Sequence, residues 1–162
     1  MELTAAQAIW LLPPVLPICV IVAWNDMRAM KIPNWTVGAL LVIFAIFGLI
    51  AFGPQVWAWR WLHVIVMLVI GMALNAGGAM GAGDAKFIMA AAPFVAFSDL
   101  TNILLILAVT LLLGWAIHRI VKHSPARRLV PEWESWKTGK RYPMGFPLAS
   151  ALVFYLAWPF LF

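Results

Sequence analysis

Long apolar runs constrain the fold of this chain more than any other feature. Of its 162 residues, 65% are hydrophobic and only 10% are charged. A soluble domain carries about 25% charged residues, and a helix needs about 20 apolar residues to cross the hydrocarbon core of a bilayer. The composition therefore excludes an ordinary water-soluble core. It predicts an all-α, polytopic membrane protein.

The apolar runs predict about six transmembrane helices, at residues 6–24, 35–52, 61–80, 86–97, 100–117 and 144–162. The fourth is short, since a dozen residues make about 18 Å of helix against a core of roughly 30 Å. Whether it crosses fully or is re-entrant stays open. No linker divides the chain, so residues 1–162 are expected to form one membrane-embedded domain, with a basic loop at 118–142. The first four residues carry no basic side chain, so the first helix is expected to be retained.

The basic residues assign a topology to these six helices. Ten of the eleven Lys and Arg residues fall in the loops around residue 26, around residue 84 and at 118–142, and only Arg60 falls on the other side. Lys and Arg accumulate in cytoplasmic loops of membrane proteins. These three loops are therefore expected to be cytoplasmic, with both termini outside.

Two aspartates stand out because carboxylates are costly at membrane depth and tend to mark function there. Asp26 and Asp84 lie 58 positions apart, each after an odd-numbered apolar run, so both are expected at the same membrane face. Two carboxylates in one site favour a state with one ionised and one protonated, as peptide hydrolysis requires. Without such pairing, Asp84 would be an incidental acid in a glycine-rich packing seam. Asp26 would be a helix-capping acid beside Arg28 or Lys31.

The glycines near Asp84 suggest a close approach between chain segments. Gly81 and Gly83 permit backbone conformations that other residues resist. Gly77 and Gly81 also form a small-xxx-small pair of the kind that brings membrane helices into contact. Asn75, inside the third apolar run, is expected to form an interhelical hydrogen bond.

Other polar residues near the two aspartates are candidates for supporting roles. Lys86 could hold Asp84 ionised or bind an acidic group of a substrate, and its alternative is a lysine extending to the interface. Pro33 suits the first turn of a helix, and Asn34 is expected to cap that helix or to line the site. Arg28 completes the set of supporting residues.

Four motifs occur in order along the chain: Asp26-Met27-Arg28, Ile32-Pro33-Asn34, Gly81-Ala82-Gly83-Asp84-Ala85-Lys86 and Tyr142-Pro143-Met144-Gly145-Phe146-Pro147. In these motifs the chain resembles the prepilin peptidases, which belong to the Gly-x-Gly-Asp class of intramembrane aspartyl proteases. It is most similar to the short form associated with tight-adherence (Flp-type) pili.

The resemblance implies a multi-pass enzyme of the bacterial inner membrane that acts at the cytoplasmic face. Its substrate would be a type IV (Flp-type) prepilin, from which it removes a short basic leader preceding an apolar helix. Asp26 and Asp84 would be the catalytic pair, with no cofactor and no metal. The long prepilin peptidases carry a cytoplasmic domain, often with paired CxxC motifs, whereas Cys19 is the single cysteine here. A zinc site of that kind is excluded, and N-methyltransferase activity is doubtful.

Helix dipoles suggest different roles for the two aspartates. Asp84 is expected near the N-terminal end of a short helix, where the dipole favours negative charge, and Asp26 near the C-terminal end of another. This would make Asp84 the base and Asp26 the acid.

Other functions remain open at this stage. One is a small ion-coupled transporter, whose acids would relay ions from deep within the bundle. Another is a non-catalytic assembly factor for a pilus or secretion system. The basic loop is expected to bind anionic lipid headgroups rather than nucleic acid. The oligomeric state does not follow from the sequence.

Overall fold

The computed structural model describes residues 1–138 and 142–162, and within these ranges the fold is helical, without strands. In this part of the chain six α-helices form the bundle, and short 3₁₀ turns lie in the connections on either side of the fifth. In chain order they are α1 (Ala5–Ala29), α2 (Asn34–Ile43), α3 (Leu49–Ala76), α4 (Ala82–Ala91), α5 (Leu100–Lys122) and α6 (Gly145–Leu161). The expected all-α class is confirmed.

Helix α1 begins with a capping box in which Thr4 and Gln7 exchange side-chain and backbone hydrogen bonds. Three prolines lie inside the helix without ending it. The helix ends at Ala29 because Met30 takes a left-handed conformation (φ 53°), and its amide bonds the carbonyl of Asp26. Asp26 is therefore fixed on the last turn of α1.

A helical hairpin follows, built from α2, a π-helical turn (Phe44–Gly48) and α3. The chain breaks at Gly53, whose φ of 72° and ψ of 165° favour glycine, and Pro54 starts the returning arm. The Trp61 ring packs on Phe44, with 5.4 Å between ring centroids. In one straight helix these residues would be about 26 Å apart. The break expected at Gly53-Pro54 is therefore confirmed, although the returning arm begins before the expected start at residue 61 and ends at Ala76.

Among the described residues, three helical stretches are long and apolar enough to cross a membrane: Ala5–Ala29, Asn34–Ala76 and Phe97–Lys122. The second is the hairpin, which doubles back at Gly53. Helix α6 is apolar but shorter, and α4 has only 10 residues. The chain is thus a membrane protein by these criteria, and the number of six crossings stays a prediction.

Arg60, expected as the one basic residue on the outer side, is buried in the bundle, and its side of the membrane stays a prediction. Its guanidinium donates to the carbonyls of Pro93 and Phe94, both at 3.2 Å, and lies over the Phe52 ring. Next to it, the Asp99 carboxylate accepts the Glu2 amide (2.8 and 3.0 Å) and the Tyr155 hydroxyl (2.8 Å). We call this group the Arg60–Asp99 cluster: Glu2, Phe52, Arg60, Pro93, Phe94, Asp99 and Tyr155.

The segment expected as a basic loop is partly helical and folds over the bundle. Helix α5 continues through His118 to Lys122, and its last turn includes the apolar residues Ile120 and Val121. In the loop, Trp136 is buried and stacks on His118. Of the expected loop at 118–142, residues 139–141 lie outside the described part of the chain.

Two expectations about polar and small residues in the third apolar run are wrong. Asn75 donates to the carbonyl of Met80 in the following turn (2.9 Å), not to another helix. Gly77 lies beyond the end of α3 and approaches only carbonyls of its own helix. Gly71 is the residue that brings α3 close to α4, since a Cβ there would lie 3.0 Å from the Cβ of Ala85.

Candidate functional site

The Asp26 carboxylate caps a helix that is distant in sequence. Only 5% of Asp26 is exposed. Its Oδ2 accepts the backbone N–H of Gly145 at 2.6 Å, across 119 positions of sequence, and the backbone of Phe146 also interacts with it. Gly145 is the first residue of α6, so Asp26 sits at that helix's N-terminus, where unpaired amides and the helix dipole favour an anion.

The Asp84 carboxylate caps its own helix. Asp84 is the third residue of α4, and Gly81 is the N-cap. The carboxylate folds back onto the backbone of Gly81, the arrangement of one half of a capping box. A Cβ at position 81 would lie 2.7 Å from Asp84 Oδ2, so a larger residue there would displace the carboxylate. At position 83 a Cβ would make ordinary contacts with Ile32, the nearest at 3.5 Å.

The fold brings the two aspartates to the same end of the bundle, as the apolar runs predict. Gly83 packs against Ile32, in the connection that follows α1. The two carboxyl groups are near enough for the charge of Asp84 to act on Asp26. We call this region the carboxylate end. Its catalytic role stays a prediction.

The supporting residues occupy other positions than expected. Lys86 donates to Asn34 Oδ1 at 3.1 Å, which ties α4 to the start of α2. Asn34 is therefore not a cap. Pro33 takes the N-cap position, and its carbonyl accepts the amide (3.1 Å) and hydroxyl (2.7 Å) of Thr36. Arg28 is exposed on the last turn of α1.

The prediction from helix dipoles, with Asp84 as the base and Asp26 as the acid, is not supported by the positions of the side chains. The backbone of Asp26 lies at the C-terminal end of α1, as expected. Its side chain, however, reaches the N-terminus of α6. Both carboxylates therefore lie at helix N-termini, and the dipole no longer distinguishes acid from base.

Burial affects the ionisation of two groups outside the membrane-spanning helices. It raises the pKa of the Asp84 carboxyl, and the contact with the Gly81 backbone opposes this shift. Burial, together with the charge of Asp26, raises the pKa of Tyr142 to about 12. The Tyr142 phenol therefore stays protonated at neutral pH, beside the candidate site.

Sequence reasoning placed Gly145 and Tyr142 in a motif but assigned neither to the site. A Cβ on Gly145 would lie 2.9 Å from the Cβ of Asp26 and 3.0 Å from its Oδ2, so this glycine permits the short amide contact. His118, interpreted as a loop residue, lies instead in α5 with its ring against Tyr142 (5.6 Å between centroids). The signal available was a glycine at the start of an apolar run, directly after Tyr-Pro-Met.

Metal chemistry finds little support in the side chains present. In residues 1–138 and 142–162, no three His, Cys, Asp or Glu side chains come together as metal ligands would. Cys19 is buried in α1. The expectation of a reaction without cofactor or metal stays a prediction.

No curated protein and no solved structure matches the chain. The type IV leader peptidase family matches residues 15–117, which is more than half of the chain and includes both aspartates. With its apolar helices and its paired carboxylates at one end of the bundle, the chain belongs to the type IV leader peptidase family.

Proposed function

We propose that this membrane protein is an aspartic endopeptidase that removes the basic leader from Flp-type prepilins at the cytoplasmic face of the bacterial inner membrane. One observation carries the proposal: two carboxylates from separate helices, 58 positions apart, lie close enough to interact at one end of an apolar bundle. The family supports leader-peptide proteolysis in general. The excess of Lys and Arg in the sequence near Asp26, near Asp84 and at 118–142 supports its cytoplasmic orientation, with both termini outside.

The chemistry needs one proton shared by the pair. The ionised carboxylate takes a proton from water as the water oxygen bonds to the scissile carbonyl carbon, and the protonated carboxyl gives its proton to the carbonyl oxygen. In the second step the carboxyl that gained a proton gives it to the peptide nitrogen. One hydroxyl of the intermediate returns a proton to the other carboxylate, and the C–N bond breaks. The pair is then restored with a single proton.

The surrounding residues hold the carboxylates rather than react. Gly145 and the N-terminus of α6 orient Asp26, while Gly81 leaves space for Asp84. The hydrogen bond from Lys86 to Asn34 ties α4 to α2 and so fixes the distance between α4 and the start of α2. Fixed positions of this kind lower the barrier by keeping the reacting groups aligned.

The two other functions have less support. A transporter would need acids deep in the bundle, whereas Asp26 and Asp84 lie on a last and a first helical turn. The buried Asp99 is saturated with hydrogen bonds from Glu2 and Tyr155, which suits structure better than ion relay. A non-catalytic assembly factor would have no need to retain both aspartates.

Co-expression with an Flp-type prepilin tests the proposal. The unsubstituted chain is expected to shorten the prepilin, seen as a mobility shift and as a new N-terminus by mass spectrometry. Asp26→Asn and Asp84→Asn are expected to abolish the shift at equal expression. Cleavage that persists in both variants would contradict the aspartic mechanism, while an intact prepilin with the unsubstituted chain would contradict the assigned substrate.

A further inference from the structure

An apolar groove of about 700 Å³ runs along the bundle beside the candidate site. Helix α6 forms its floor, and α1 and α5 form its walls, with lining residues that include Leu16, Val20, Trp24, Ile117 and Phe154. On α1 the lining extends from Leu16 to Met27, which is about 16 Å, or three helical turns. The loop after α5 closes the groove at the carboxylate end through Leu129, Val130 and Trp133.

Two buried polar atoms at the carboxylate end of this groove have no hydrogen-bond partner within the described ranges. One is Nε2 of His118, a lining residue that is 4% exposed. The other is the hydroxyl of Tyr142, which lies against the lining residue Gly114. A buried polar group without a partner costs about 1–3 kcal/mol, so a molecule that supplies the partner would be bound more tightly there.

The groove is continuous with the candidate active site. Met27 and Phe146 both line it, and they directly follow Asp26 and Gly145, the two residues joined by the 2.6 Å hydrogen bond. The charge of Asp26 also reaches Tyr142. A segment that lies in the groove would therefore lead from the apolar part of the bundle to the carboxylates.

We propose that this groove holds the apolar helix of the peptide substrate, and that His118 and Tyr142 position the peptide group at the helix's N-terminal end. The proposal rests on the proposed peptidase function. The first N–H groups of any helix lack intrahelical partners, and a peptide unit offers one donor and one acceptor. In its Nδ1–H tautomer His118 accepts such an N–H at Nε2, and the Tyr142 hydroxyl donates to a carbonyl.

A peptide suits these groups better than a phospholipid does. The ester and phosphate oxygens of a lipid only accept hydrogen bonds, so they would satisfy His118 Nε2 in its Nε2–H tautomer alone, whereas a peptide unit, with a donor and an acceptor, can satisfy either tautomer. A peptide unit satisfies both atoms at once. The groove then supplies apolar contact along the helix, and the two side chains set its register relative to Asp26.

Cross-linking in the inactive Asp84→Asn chain tests the groove separately from catalysis. Photoreactive benzoylphenylalanine is placed either at position 20 or at position 69. Position 69 is the matched control, because Val20 is 59% exposed and Val69 is 56% exposed. Only Val20 lines the groove. With a co-expressed Flp-type prepilin, position 20 is expected to cross-link the prepilin at least about fivefold more than position 69. Equal cross-linking, or cross-links from position 20 to phospholipid alone, would overturn the proposal.

Filling the groove gives a second, kinetic test. Val20→Trp is expected to raise KM at least about fivefold, with kcat within about twofold, while Val69→Trp leaves both constants unchanged. If cleavage depends on Asp26 and Asp84 but Val20→Trp is indistinguishable from Val69→Trp, the groove is wrong and the peptidase function stands. If the unsubstituted chain fails to cleave but position 20 cross-links the prepilin selectively, the groove stands and the peptidase function is wrong.

Tyr142→Phe and His118→Phe test the positioning role. Tyr142→Phe removes an oxygen that has no partner among the described residues, so a merely structural role would leave KM unchanged and thermal stability equal or higher. As positioning residues, each is expected to raise KM about fivefold, the value of one hydrogen bond, with little effect on kcat. An unchanged KM in Tyr142→Phe would overturn the role of the hydroxyl whether or not His118→Phe folds.

Discussion

The carboxylate end and the Arg60–Asp99 cluster both bury charged side chains, but they treat them differently. Asp26 is 5% exposed and Asp99 is 3% exposed. Asp99 is surrounded by donors from the N-terminus and from α6, and Arg60 is matched by two carbonyls, an aromatic ring and Glu2 at 3.8 Å. At the carboxylate end, the neighbouring His118 and Tyr142 keep polar atoms that no described residue satisfies.

Under the proposed function, the contrast is between structural charge at one end of the bundle and functional charge at the other. A saturated network ties the elements that form it and leaves no bond for another molecule, which suits a structural role. A buried polar group that lacks a partner lowers stability, and it is retained where a substrate supplies the partner. Asp26 and Asp99 are buried to nearly the same extent, so burial does not distinguish them. Their hydrogen bonds differ and suit different roles.

The largest expected effect comes from replacing each of the two buried aspartates by asparagine. Asp26→Asn is expected to lower kcat/KM by about 10³-fold, since it removes a proton-transfer group, with a small change in unfolding midpoint. Asp99→Asn is expected to lower the free energy of unfolding by about 1–3 kcal/mol, through a lost charged acceptor, with kcat nearly unchanged in the folded fraction. Prepilin cleavage and thermal unfolding in detergent measure the two effects.

The comparison between the two ends fails if Asp99→Asn abolishes cleavage while the protein stays folded. It also fails if Asp26→Asn unfolds the protein as readily as Asp99→Asn does. The two variants form a matched pair, since each replaces a buried carboxylate by a group of nearly the same size. They should be compared at the same expression level and in the same detergent.

The second effect concerns the glycines that leave space for the carboxylates. Gly81→Ala and Gly145→Ala are each expected to lower kcat/KM about 100-fold, the loss that a 1 Å displacement of a catalytic group can cause. The reason is steric, since the new Cβ would lie 2.7 Å from Asp84 Oδ2 or 2.9 Å from Asp26 Cβ.

Gly83→Ala is the matched control for the glycine series. Its Cβ would meet Ile32 at 3.5 Å, an ordinary contact, so its activity is expected to stay within about twofold of the unsubstituted chain. An equal loss of kcat/KM in all three variants would mean that glycine is needed at these positions for backbone freedom, and not for the space around the carboxylates.

The third effect is a dependence on pH at the carboxylate end. Burial raises the pKa of Asp84 above the ordinary aspartate value of about 3.9. Once both carboxyls hold protons no base remains, so if Asp84 is the base, kcat/KM should fall about tenfold per pH unit below its raised pKa. The midpoint of this fall is expected above pH 4 in the unsubstituted chain and in Asp99→Asn alike. Full activity at pH 4 would contradict it.

The smallest effect is expected on removal of metal ions. In residues 1–138 and 142–162, neither end of the bundle brings together three metal-binding side chains. EDTA and 1,10-phenanthroline are therefore expected to leave the rate of prepilin cleavage within about twofold. A strong inhibition that added zinc reverses would exclude the aspartic mechanism.

Most of the fold follows from local patterns in the sequence. The apolar runs specify the helices because a backbone in lipid must satisfy its own hydrogen bonds. Gly53-Pro54 marks the hairpin, because the left-handed glycine and the following proline end one helix and begin another. The placement of Asp26 and Asp84 at one end follows from counting the runs between them. The predicted helix ends were less accurate. Helix α5 continues past Arg119 to Lys122, and α3 begins before Arg60, which is buried within it.

The side-chain partners at both ends did not follow from these patterns. Lys86 bonds Asn34 and not Asp84, and Arg60 lies inside the bundle and not at an outer surface. Periodicity reports which residues a helix buries, but it carries no information on which of several helices lies opposite.

The sequence by itself determined that the chain forms apolar helices and that two aspartates lie at the same end of them. Only the tertiary structure decided that the Asp26 carboxylate caps α6, because the amide of Gly145 comes from 119 positions away. It also decided that His118 and Tyr142 lie together near Asp26. The physical reason is that hydropathy and turn residues act over a few positions, whereas the packing of helices against one another selects the partners of each polar group.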